Sequence, residues 1–403
     1  MALSLARMHW IDRHIGRVLV TAMQPLNLRR YLVAPPSVQG LDPRRVLVVK
    51  FWGIGSIALA GQTLNALRAH FPRAEFHFLT LAANADFLRH VKAVDHVVAL
   101  DICGGALTVL VRIVRLLAAL RRRRYDMVVD LEFFTRFSAL VSFLSGAPVR
   151  VGFHAWEVWR GNLHNIVVPF NRYWHVTRNF FNLGRAAGIA AAEPPPFRLE
   201  VGADARREAE AALLAAGVRP GERLVVFNPN AGGMALERRW PPENFAGLVR
   251  ELAATDGIRA VLIGAPSERA YVARIAEQAG AEAVNLAGRL SIGGLIALLE
   301  RAALLVSNDT GPLQLALTQE RPTLSFFGPE TPVLYGPRAG CHRVLYQELA
   351  CSPCINVHSQ KRVRCIFGHP VCLESIPVER AAAAARALLA GRGGEGWSVR
   401  GGP

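Results

Sequence analysis

The sequence predicts an α/β protein with two doubly wound domains. Short apolar runs with the length of buried strands alternate with longer amphipathic segments along most of the chain. Two of these runs, Val46–Val49 and Leu304–Val306, lead through a glycine turn into an apolar helix, which is the pattern of a parallel strand–helix unit. Because 403 residues exceed the size of one typical core, two domains are expected.

The composition narrows the classes of partner. The formal net charge is +16 and the isoelectric point is about 10.6, values that suit nucleic acid, an anionic membrane or an anionic substrate. We find no nucleic-acid motif in the right context, so nucleic acid is not expected as a partner. No stretch approaches the ~20 uncharged apolar residues that a spanning helix needs. The run Arg121–Arg124 ends an apolar helix and is interpreted as a solvated cap rather than a functional patch.

Residues 1–43 are predicted to form a basic amphipathic extension. On a helix, one face would be apolar and the other basic: Trp10, Ile11, Ile15, Val18 and Leu19 against Arg7, Arg13 and Arg17. This pattern is typical of a helix lying on an anionic membrane surface, and packing on the body of the protein is the alternative. Arg17 interrupts the apolar segment and no small-residue cleavage site follows, which argues against a signal peptide.

The first domain is predicted over residues 44–195. Its first strand, Val46–Val49, is followed by Lys50-Phe-Trp-Gly-Ile-Gly-Ser56 and a helix. Further strands are expected at 75–79, 94–100, 125–130 and 150–153. The Gly-x-Gly turn lacks a third glycine at the usual place, so it is a poor dinucleotide-binding fingerprint.

Two features late in this domain suggest a ligand. Asp130 and Glu132 fall at the carboxyl end of a strand, where open α/β sheets bind ligands. The segment from Trp156 to His175 is rich in aromatic residues and also carries arginine and histidine. Loops of about 20 residues are usually functional or disordered. These side chains would suit a sugar-phosphate acceptor, and a hydrophobic flap over the core is the alternative.

The second domain is predicted over residues 196–377, after an Ala/Pro-rich linker at 190–196. Its strands are expected at Leu224–Phe227, Ala260–Ile263, Ala283–Leu286 and Leu304–Val306. Residues 378–403 are predicted to be an Ala-rich amphipathic helix followed by a Gly-rich basic tail.

The stretch after Val306 has the features of an anion site. Asp309-Thr-Gly311 turns the chain, and Pro312 sits in the first turn of a helix, where its missing N–H would be unpaired anyway. Free backbone N–H groups and the positive end of the helix dipole would face a ligand. Taken alone, the stretch also fits an ordinary strand–helix corner.

Three further blocks place this corner in a larger pattern. They are Asn228-Pro-Asn-Ala-Gly-Gly233, Arg238-Arg-Trp-Pro-Pro-Glu-Asn-Phe245 and Gly264-Ala-Pro-Ser-Glu268. In this order and spacing, the blocks resemble the nucleotide-binding half of the family 9 glycosyltransferases, the heptosyltransferases and their relatives. The resemblance extends from about Arg44 to about Val378. It implies two Rossmann-like domains facing a cleft, the GT-B arrangement.

The resemblance also implies an activity and a location. The family builds lipopolysaccharide core, so the implied reaction is inverting transfer of a heptose from an ADP-activated nucleotide-sugar to a lipopolysaccharide-type glycolipid acceptor. Such a protein would lie on the cytoplasmic face of the inner membrane. A cationic pocket makes a metal ion unnecessary for the transfer, so no cofactor is required. The alternatives are a transferase for another sugar and a homologue that binds without catalysis.

The resemblance assigns a donor-binding set. Arg238 replaces a family lysine that reaches the diphosphate, and it keeps the charge while adding a fork of donors. Thr310 and Gly311 would supply N–H groups to the diphosphate. Glu268 would accept hydrogen bonds from ribose hydroxyls, or would only cap a helix. The full set is Asn230, Arg238, Gly264, Glu268, Asp309, Thr310, Gly311 and Gln314.

The catalytic base is predicted from a departure from the family pattern. The first glycine turn usually ends in Gly-Asp, and that Asp is the usual base, whereas Ser56 stands here and cannot take a proton unaided at neutral pH. Glu132 is predicted to be the base, with Asp130 as the second candidate. Gln314 stands where the family often has histidine, and with Ser56 it keeps the non-catalytic alternative open. The predicted acceptor-binding residues are Lys50, Gly55, Arg136 and Arg160.

Four of the six cysteines form a cluster late in the chain. Their spacing is C-x2-C-x10-C-x6-C, and they are Cys351, Cys354, Cys365 and Cys372. The first pair has zinc spacing, and four thiolates bind zinc tetrahedrally. A structural zinc, a redox-labile pair and free reduced thiols are the three interpretations.

Overall fold

The protein's structure, a computed structural model, describes residues 5–27, 36–155, 158–232, 235–255, 257–280, 283–355 and 364–391. The chain forms two compact units, and the division falls between Phe197 and Arg198, two residues after the predicted domain boundary. Some predicted features lie outside the described residues, among them Trp156, part of the N-terminal extension (28–35) and the tail beyond Gly391.

The first unit contains a six-stranded parallel sheet. Its strands are β1 (Arg45–Val49), β2 (Glu75–Leu81), β3 (His96–Leu100), β4 (Met127–Asp130), β5 (Val149–His154) and β6 (Ile166–Pro169). Its helices are α1 (Leu5–Ala22), α2 (Ile54–Leu59), α3 (Gly61–His70), α4 (Ala85–Leu88), α5 (Ala106–Arg123), α6 (Arg136–Leu144) and α7 (Val176–Ala186). The strand order β3-β2-β1-β4-β5-β6 is that of the doubly wound dinucleotide-binding fold.

The second unit repeats this wiring. Its strands are β7 (Arg223–Asn228), β8 (Ile258–Leu262), β9 (Ala283–Asn285), β10 (Ala302–Asn308), β11 (Thr323–Phe327) and β12 (His342–Tyr346). Its helices are α8 (Ala203–Ala215), α9 (Pro242–Ala253), α10 (Arg269–Ala279), α11 (Ile292–Arg301), α12 (Gly311–Thr318), α13 (Pro332–Tyr335), α14 (Val371–Glu374) and α15 (Val378–Leu389). The strand order is again 3-2-1-4-5-6 when counted within the unit.

Two parallel α/β units are confirmed, but three of their strands were not predicted. β6 has four residues and lies inside the aromatic segment that was interpreted as a loop. β11 is wholly buried, yet Ser325 interrupts its apolar run. β12 lies at the edge of its sheet, and two of its five residues are buried. Short or interrupted apolar runs carry too little periodicity to predict a strand.

The core of the second unit is built around Trp240. Its ring stacks on Phe326 at 4.3 Å between centroids and meets Phe245 edge-on at 5.1 Å. The indole N–H donates to the carbonyl of Ile376 at 3.0 Å, which satisfies the one polar group of a fully buried side chain. The buried alanines of α15 join the same core, so this predicted C-terminal helix belongs to the second unit.

Helix α1 packs on the first unit through a narrow face. Gly16 lies against Arg136, and Val20 is fully buried beside Ala139 and Leu140. Asp12 accepts the backbone N–H groups of Arg136 at 2.8 Å and Phe137 at 3.0 Å, so it caps the N-terminus of α6 from another helix.

The opposite side of α1 carries the predicted apolar face. Its exposed large side chains are Trp10, Ile15, Val18 and Leu19, between 44% and 67% exposed. Among the described residues, no helix is both long and apolar enough to span a bilayer.

Candidate active site

Both sheets place polar residues where the strand order reverses. This point lies between β1 and β4 in the first unit and between β7 and β10 in the second. Val49 pairs in register with Asp130, and Asn228 with Ser307, so the carboxyl ends of the central strands lie side by side. Open α/β sheets bind ligands in the crevice at this position.

In the first unit, the crevice position holds a buried ion pair. The Lys50 ammonium lies 3.0 Å from Glu132 Oε2, and the two side chains are 1% and 0% exposed. Glu132 Oε1 accepts the backbone N–H groups of Phe51 at 2.7 Å and Trp52 at 3.0 Å. The Glu132 carboxylate therefore fixes the loop between β1 and α2.

A second buried cluster adjoins this pair. Asp130 Oδ2 pairs with Arg160 and lies 3.0 Å from His164 Nε2, while Asp130 Oδ1 accepts the Glu132 backbone N–H at 3.0 Å. Burial opposes ionisation of Asp130, but the Arg160 charge and the His164 hydrogen bond outweigh it and lower its pKa. Burial lowers the pKa of His164.

The Arg160 guanidinium donates hydrogen bonds to other groups of the protein. It donates to the carbonyls of Thr135 at 2.9 Å, Glu132 at 2.7 Å and Phe153 at 3.1 Å. It also donates to Ser138 Oγ at 2.7 Å and pairs with Asp130. These partners account for the donors of the fork, so Arg160 ties the β4, β5 and α6 ends together.

The predicted base and acceptor-binding residues are enclosed by the protein in this conformation, and their roles stay predictions. Lys50, Gly55, Asp130, Glu132, Arg136 and Arg160 are all buried. A general base must come within hydrogen-bond reach of the acceptor, and Glu132 does not meet solvent in this conformation. The strand-end position was predicted correctly, but later segments cover it: Arg160 closes over Asp130, and α1 closes over Arg136.

Ser56 lies at the rim of this cluster. It is half-buried near the start of α2, and its N–H donates to the carbonyl of Gly53 at 3.0 Å. Gly53 has a φ of 72°, which glycine adopts without strain. The sharp turn places Ser56 in the first turn of α2, with a hydroxyl instead of a carboxylate, and its orientation toward the crevice stays a prediction.

Exposed arginines follow the carboxyl end of β6. The Arg178 guanidinium lies 3.9 Å from the ring centroid of Trp174, and that of Arg172 lies 5.2 Å from the ring of Tyr173. Arg172, Tyr173 and Arg178 are exposed, and Trp174 is partly buried. The sequence indicated the aromatics of this segment but not the two arginines, although their placement beside Tyr173-Trp174 was visible.

In the second unit, Arg238 and Asp309 meet beside the reversal point. Arg238 Nη1 donates to the Asp309 carbonyl at 2.7 Å and lies 3.4 Å from its carboxylate. The Arg238 side chain is 17% exposed, so its charge sits at the surface of the site. The sequence assigned both residues to the donor site separately, and the structure brings them into contact.

The turn into α12 leaves helix N–H groups without a side-chain cap. The Thr310 hydroxyl contacts Asn228 Nδ2 at 2.7 Å and Ser307 Oγ at 3.3 Å instead of capping the helix. Gly311 begins α12, and both Thr310 and Gly311 are half-buried. A helix N-terminus of this kind suits an anion.

Four predicted donor residues have other partners. Asn230 is buried and donates to the Ile263 carbonyl at 3.0 Å, so it joins two strand ends. Gln314 is also buried and donates to the Tyr335 carbonyl at 2.9 Å. The roles of both residues in donor binding stay predictions. Glu268 accepts the Ala265 N–H at 2.8 Å while remaining half-exposed. A Cβ at Gly264 would lie 2.9 Å from Asn230 Nδ2, so the position requires glycine.

The four clustered cysteines line one cavity of about 120 Å³ in the second unit. Glu237 and Pro329 also line it. Burial, followed by the nearby Cys354 and Cys351 thiols, raises the pKa of Cys372 to about 11. All six cysteines of the chain are free thiols.

Comparison with known proteins identifies the family of the chain. The family model for glycosyltransferase family 9 (heptosyltransferase) matches residues 113–364, which is more than half of the chain. The chain belongs to glycosyltransferase family 9. The family resemblance inferred from the sequence is thereby confirmed, and this family 9 protein is an inverting glycosyltransferase with the GT-B fold.

Individual relatives agree with the family assignment. Lipopolysaccharide heptosyltransferase 2 of Escherichia coli strain K12 is 25% identical over 312 residues, which cover 75% of this chain and 87% of the relative. A glycosyl transferase family 9 structure from Veillonella parvula has a TM-score of 0.71 at 22% identity, covering 87% of this chain and 98% of that one. E. coli heptosyltransferase WaaC with ADP-2-deoxy-2-fluoro heptose has a TM-score of 0.61 at 21% identity, covering 85% and 99%.

Proposed function

We propose that this family 9 glycosyltransferase moves a heptose from an ADP-heptose donor to a lipopolysaccharide-core-type glycolipid. The observation that carries the proposal is the pairing of Arg238 with Asp309 beside the uncapped start of α12. The relatives support it, since they include lipopolysaccharide heptosyltransferases and one structure was solved with an ADP-heptose analogue.

The donor site supplies what a leaving diphosphate needs. In the transfer, an acceptor hydroxyl gives its proton to a general base and attacks the anomeric carbon, the bond to the diphosphate oxygen breaks, and ADP leaves with its negative charge. Arg238 would hold that charge through its guanidinium, and the N–H groups at Thr310 and Gly311 would bind the phosphate oxygens. Glu268 is half-exposed in the segment that follows β8, and its carboxylate would accept a hydrogen bond from a ribose hydroxyl.

The acceptor would be bound at the loop after β6. Trp174 and Tyr173 offer flat apolar surfaces to sugar rings, and Arg178 and Arg172 add positive charge for phosphate groups. This position lies at the carboxyl edge of the sheet, where the family fold binds ligands. We propose it because the residues predicted from the sequence to bind the acceptor are buried in this conformation.

The membrane contact would be made by exposed apolar helix faces of the first unit. On α1, Trp10, Ile15, Val18 and Leu19 face solvent. On α5, an exposed row of Leu107, Leu110, Val111 and Val114 precedes the basic run at Arg121–Arg124. Apolar side chains beside arginines match the surface of an anionic bilayer. With a glycolipid acceptor, this surface would lie on the cytoplasmic side of the inner membrane.

A homologue that binds the nucleotide-sugar without turnover is the second candidate. Ser56 in place of the family's usual carboxylate and the complete burial of Glu132 favour it. The geometry of the donor site serves either function, since binding needs only the cations and N–H groups.

One panel of assays with different sugar donors separates three possibilities: a heptosyltransferase, a transferase for another sugar and a non-catalytic homologue. Purified protein is given ADP- and UDP-linked sugars with a core-type glycolipid, and product formation and donor affinity are both measured. Turnover with ADP-heptose supports the proposal, and turnover only with a UDP-sugar assigns a different transferase. Tight ADP-heptose binding without any turnover favours the non-catalytic candidate.

A further inference from the structure

The cysteine cavity brings together residues from two separate segments. Cys351 and Cys354 precede the undescribed residues 356–363, and Cys365 and Cys372 follow them. All four side chains nevertheless line the same cavity of about 120 Å³. The transfer reaction uses none of these thiols, so the convergence has no explanation in the proposed mechanism.

We propose that these four cysteines bind a single divalent transition-metal ion, zinc or iron, in a structural site. Four sulfur ligands with no place left for water or substrate are the donor set of closed tetrahedral sites. Each thiol would lose its proton on binding, and the ion would neutralise the resulting thiolates.

Local backbone contacts position both halves of the site. The N–H groups of Cys354 and Ile355 both donate to the Pro329 carbonyl, at 3.0 and 2.7 Å. The Gly368 N–H donates to the Cys365 carbonyl at 3.1 Å, which closes a tight turn. A Cβ at Gly328 would lie 2.7 Å from Cys372 Sγ, so glycine there leaves room for the sulfur.

Another group of ligand-type side chains is better explained without a metal. Among the described residues, the ligand atoms of Glu75, His77 and His96 lie within 4.8 Å of one another, whereas the cysteine sulfurs are spread more widely around their cavity. Arg123 contacts His77 at 2.6 Å, and Arg45 lies 3.4 Å from Glu75. These arginines already supply the positive charge that a metal ion would bring to the three side chains. In the cysteine site, a metal ion would draw the sulfurs inward to about 2.3 Å from itself.

The position of the cavity gives the ion a structural role. Glu237 lines it, and the next residue, Arg238, pairs with Asp309. Metal binding would therefore stiffen the turn that carries Arg238. This last step rests on the proposed donor site, whereas the metal site itself does not.

Metal content provides the first test. Full-length protein is produced with zinc and iron in the medium, purified under reducing conditions without chelators, and analysed by elemental mass spectrometry. We expect about one zinc or iron per chain, retained in the matched control Cys103→Ser/Cys341→Ser. Cys354→Ser should lower the content at least ~10-fold. Equal metal in Cys354→Ser and wild type, or none in wild type, overturns the proposal.

Thiol reactivity tests the site without relying on a variant that folds. In the native wild-type protein, the four clustered thiols should react with a thiol reagent only after a chelator removes the metal, whereas exposed Cys103 reacts at once. Chelation should also lower the Tm by about 10 °C. Immediate reaction of the clustered thiols, with no change on chelation, contradicts the proposal. Loss of metal without loss of ADP affinity refutes only the step to Arg238.

Discussion

Lys50 and Glu132 form an ion pair of 3.0 Å that is almost completely removed from solvent. Burying two charges is costly unless both are paired, and removing one partner leaves the other uncompensated. The Glu132 carboxylate also accepts two backbone N–H groups of the loop before α2. This relationship makes Glu132 a positioning residue for the loop that ends at Ser56.

We therefore expect Glu132→Gln to destabilise the protein as well as to lower activity. Breaking a buried pair should reduce the free energy of unfolding by about 3–5 kcal/mol. The double variant Lys50→Met/Glu132→Gln removes both charges, keeps an acceptor for the two N–H groups and should recover much of that loss. Chemical denaturation measures the stability, and kcat follows from the transfer assay. If Glu132→Gln keeps its full stability but loses kcat by about 10²–10⁴, the side chain is a general base after all.

Arg238→Ala should weaken ADP binding. The guanidinium supplies a hydrogen bond to a charged group, so the expected loss is about 1.5–3 kcal/mol by isothermal titration calorimetry. Arg239→Ala is the matched control, because Arg239 is next in sequence and stacks on Tyr271 at 4.1 Å. Unchanged ADP affinity in Arg238→Ala would place the diphosphate elsewhere.

Arg178→Ala should raise the KM for the glycolipid acceptor and leave donor binding unchanged. Its guanidinium lies over Trp174 at the exposed carboxyl edge of the first sheet, where we propose that acceptor phosphates bind. The expected increase in KM is about 10-fold, from the loss of one charge-assisted contact. Arg185→Ala, an exposed arginine later on the same helix, should have no effect. Equal KM values for both variants would exclude this loop as the acceptor site.

Substituting the exposed face of α1 should release the protein from anionic vesicles. Ile15→Ser/Val18→Ser/Leu19→Ser removes apolar side chains that face solvent, while Asp12 and Val20 keep the helix packed. Vesicle sedimentation should then decrease, and binding by the wild type should weaken with added salt. Leu214→Ser changes a similarly exposed leucine in the second unit and should bind normally. Unaltered sedimentation of the triple variant would show that α1 is not the anchor.

Stability should decrease as the pH falls below about 6.5, the unperturbed pKa of histidine. Burial lowers the pKa values of His164, His77 and His342, so the folded state holds these rings neutral. Below pH 6.5 the unfolded chain binds more protons than the folded one, and the free energy of unfolding therefore falls with pH. Denaturation midpoints between pH 8 and pH 5 measure the slope. His164→Asn should flatten it; an identical slope would show that His164 does not contribute.

Local sequence determined the parallel strands and the two turns at their ends. Apolar runs such as Val46–Val49 and Leu304–Val306 predicted central strands, because strands buried on both faces need continuous apolar side chains. The Asp309–Gly311 corner followed from glycine and proline placed at a helix start. The cysteine spacing likewise indicated a cluster, and the four side chains do line one cavity.

Only the tertiary structure decided which of the polar residues are buried and which stay open to a ligand. Arg160 reaches Asp130 across 30 residues, and Asp12 reaches Arg136 across 124. Whether a strand-end carboxylate meets substrate or an internal cation depends on these distant segments, which leave no periodic signal nearby. The same holds for α1. Asp12 holds α1 on α6 by accepting the N–H groups that start α6, and this orientation leaves the apolar face of α1 exposed. These hydrogen bonds exist only once the two helices have packed.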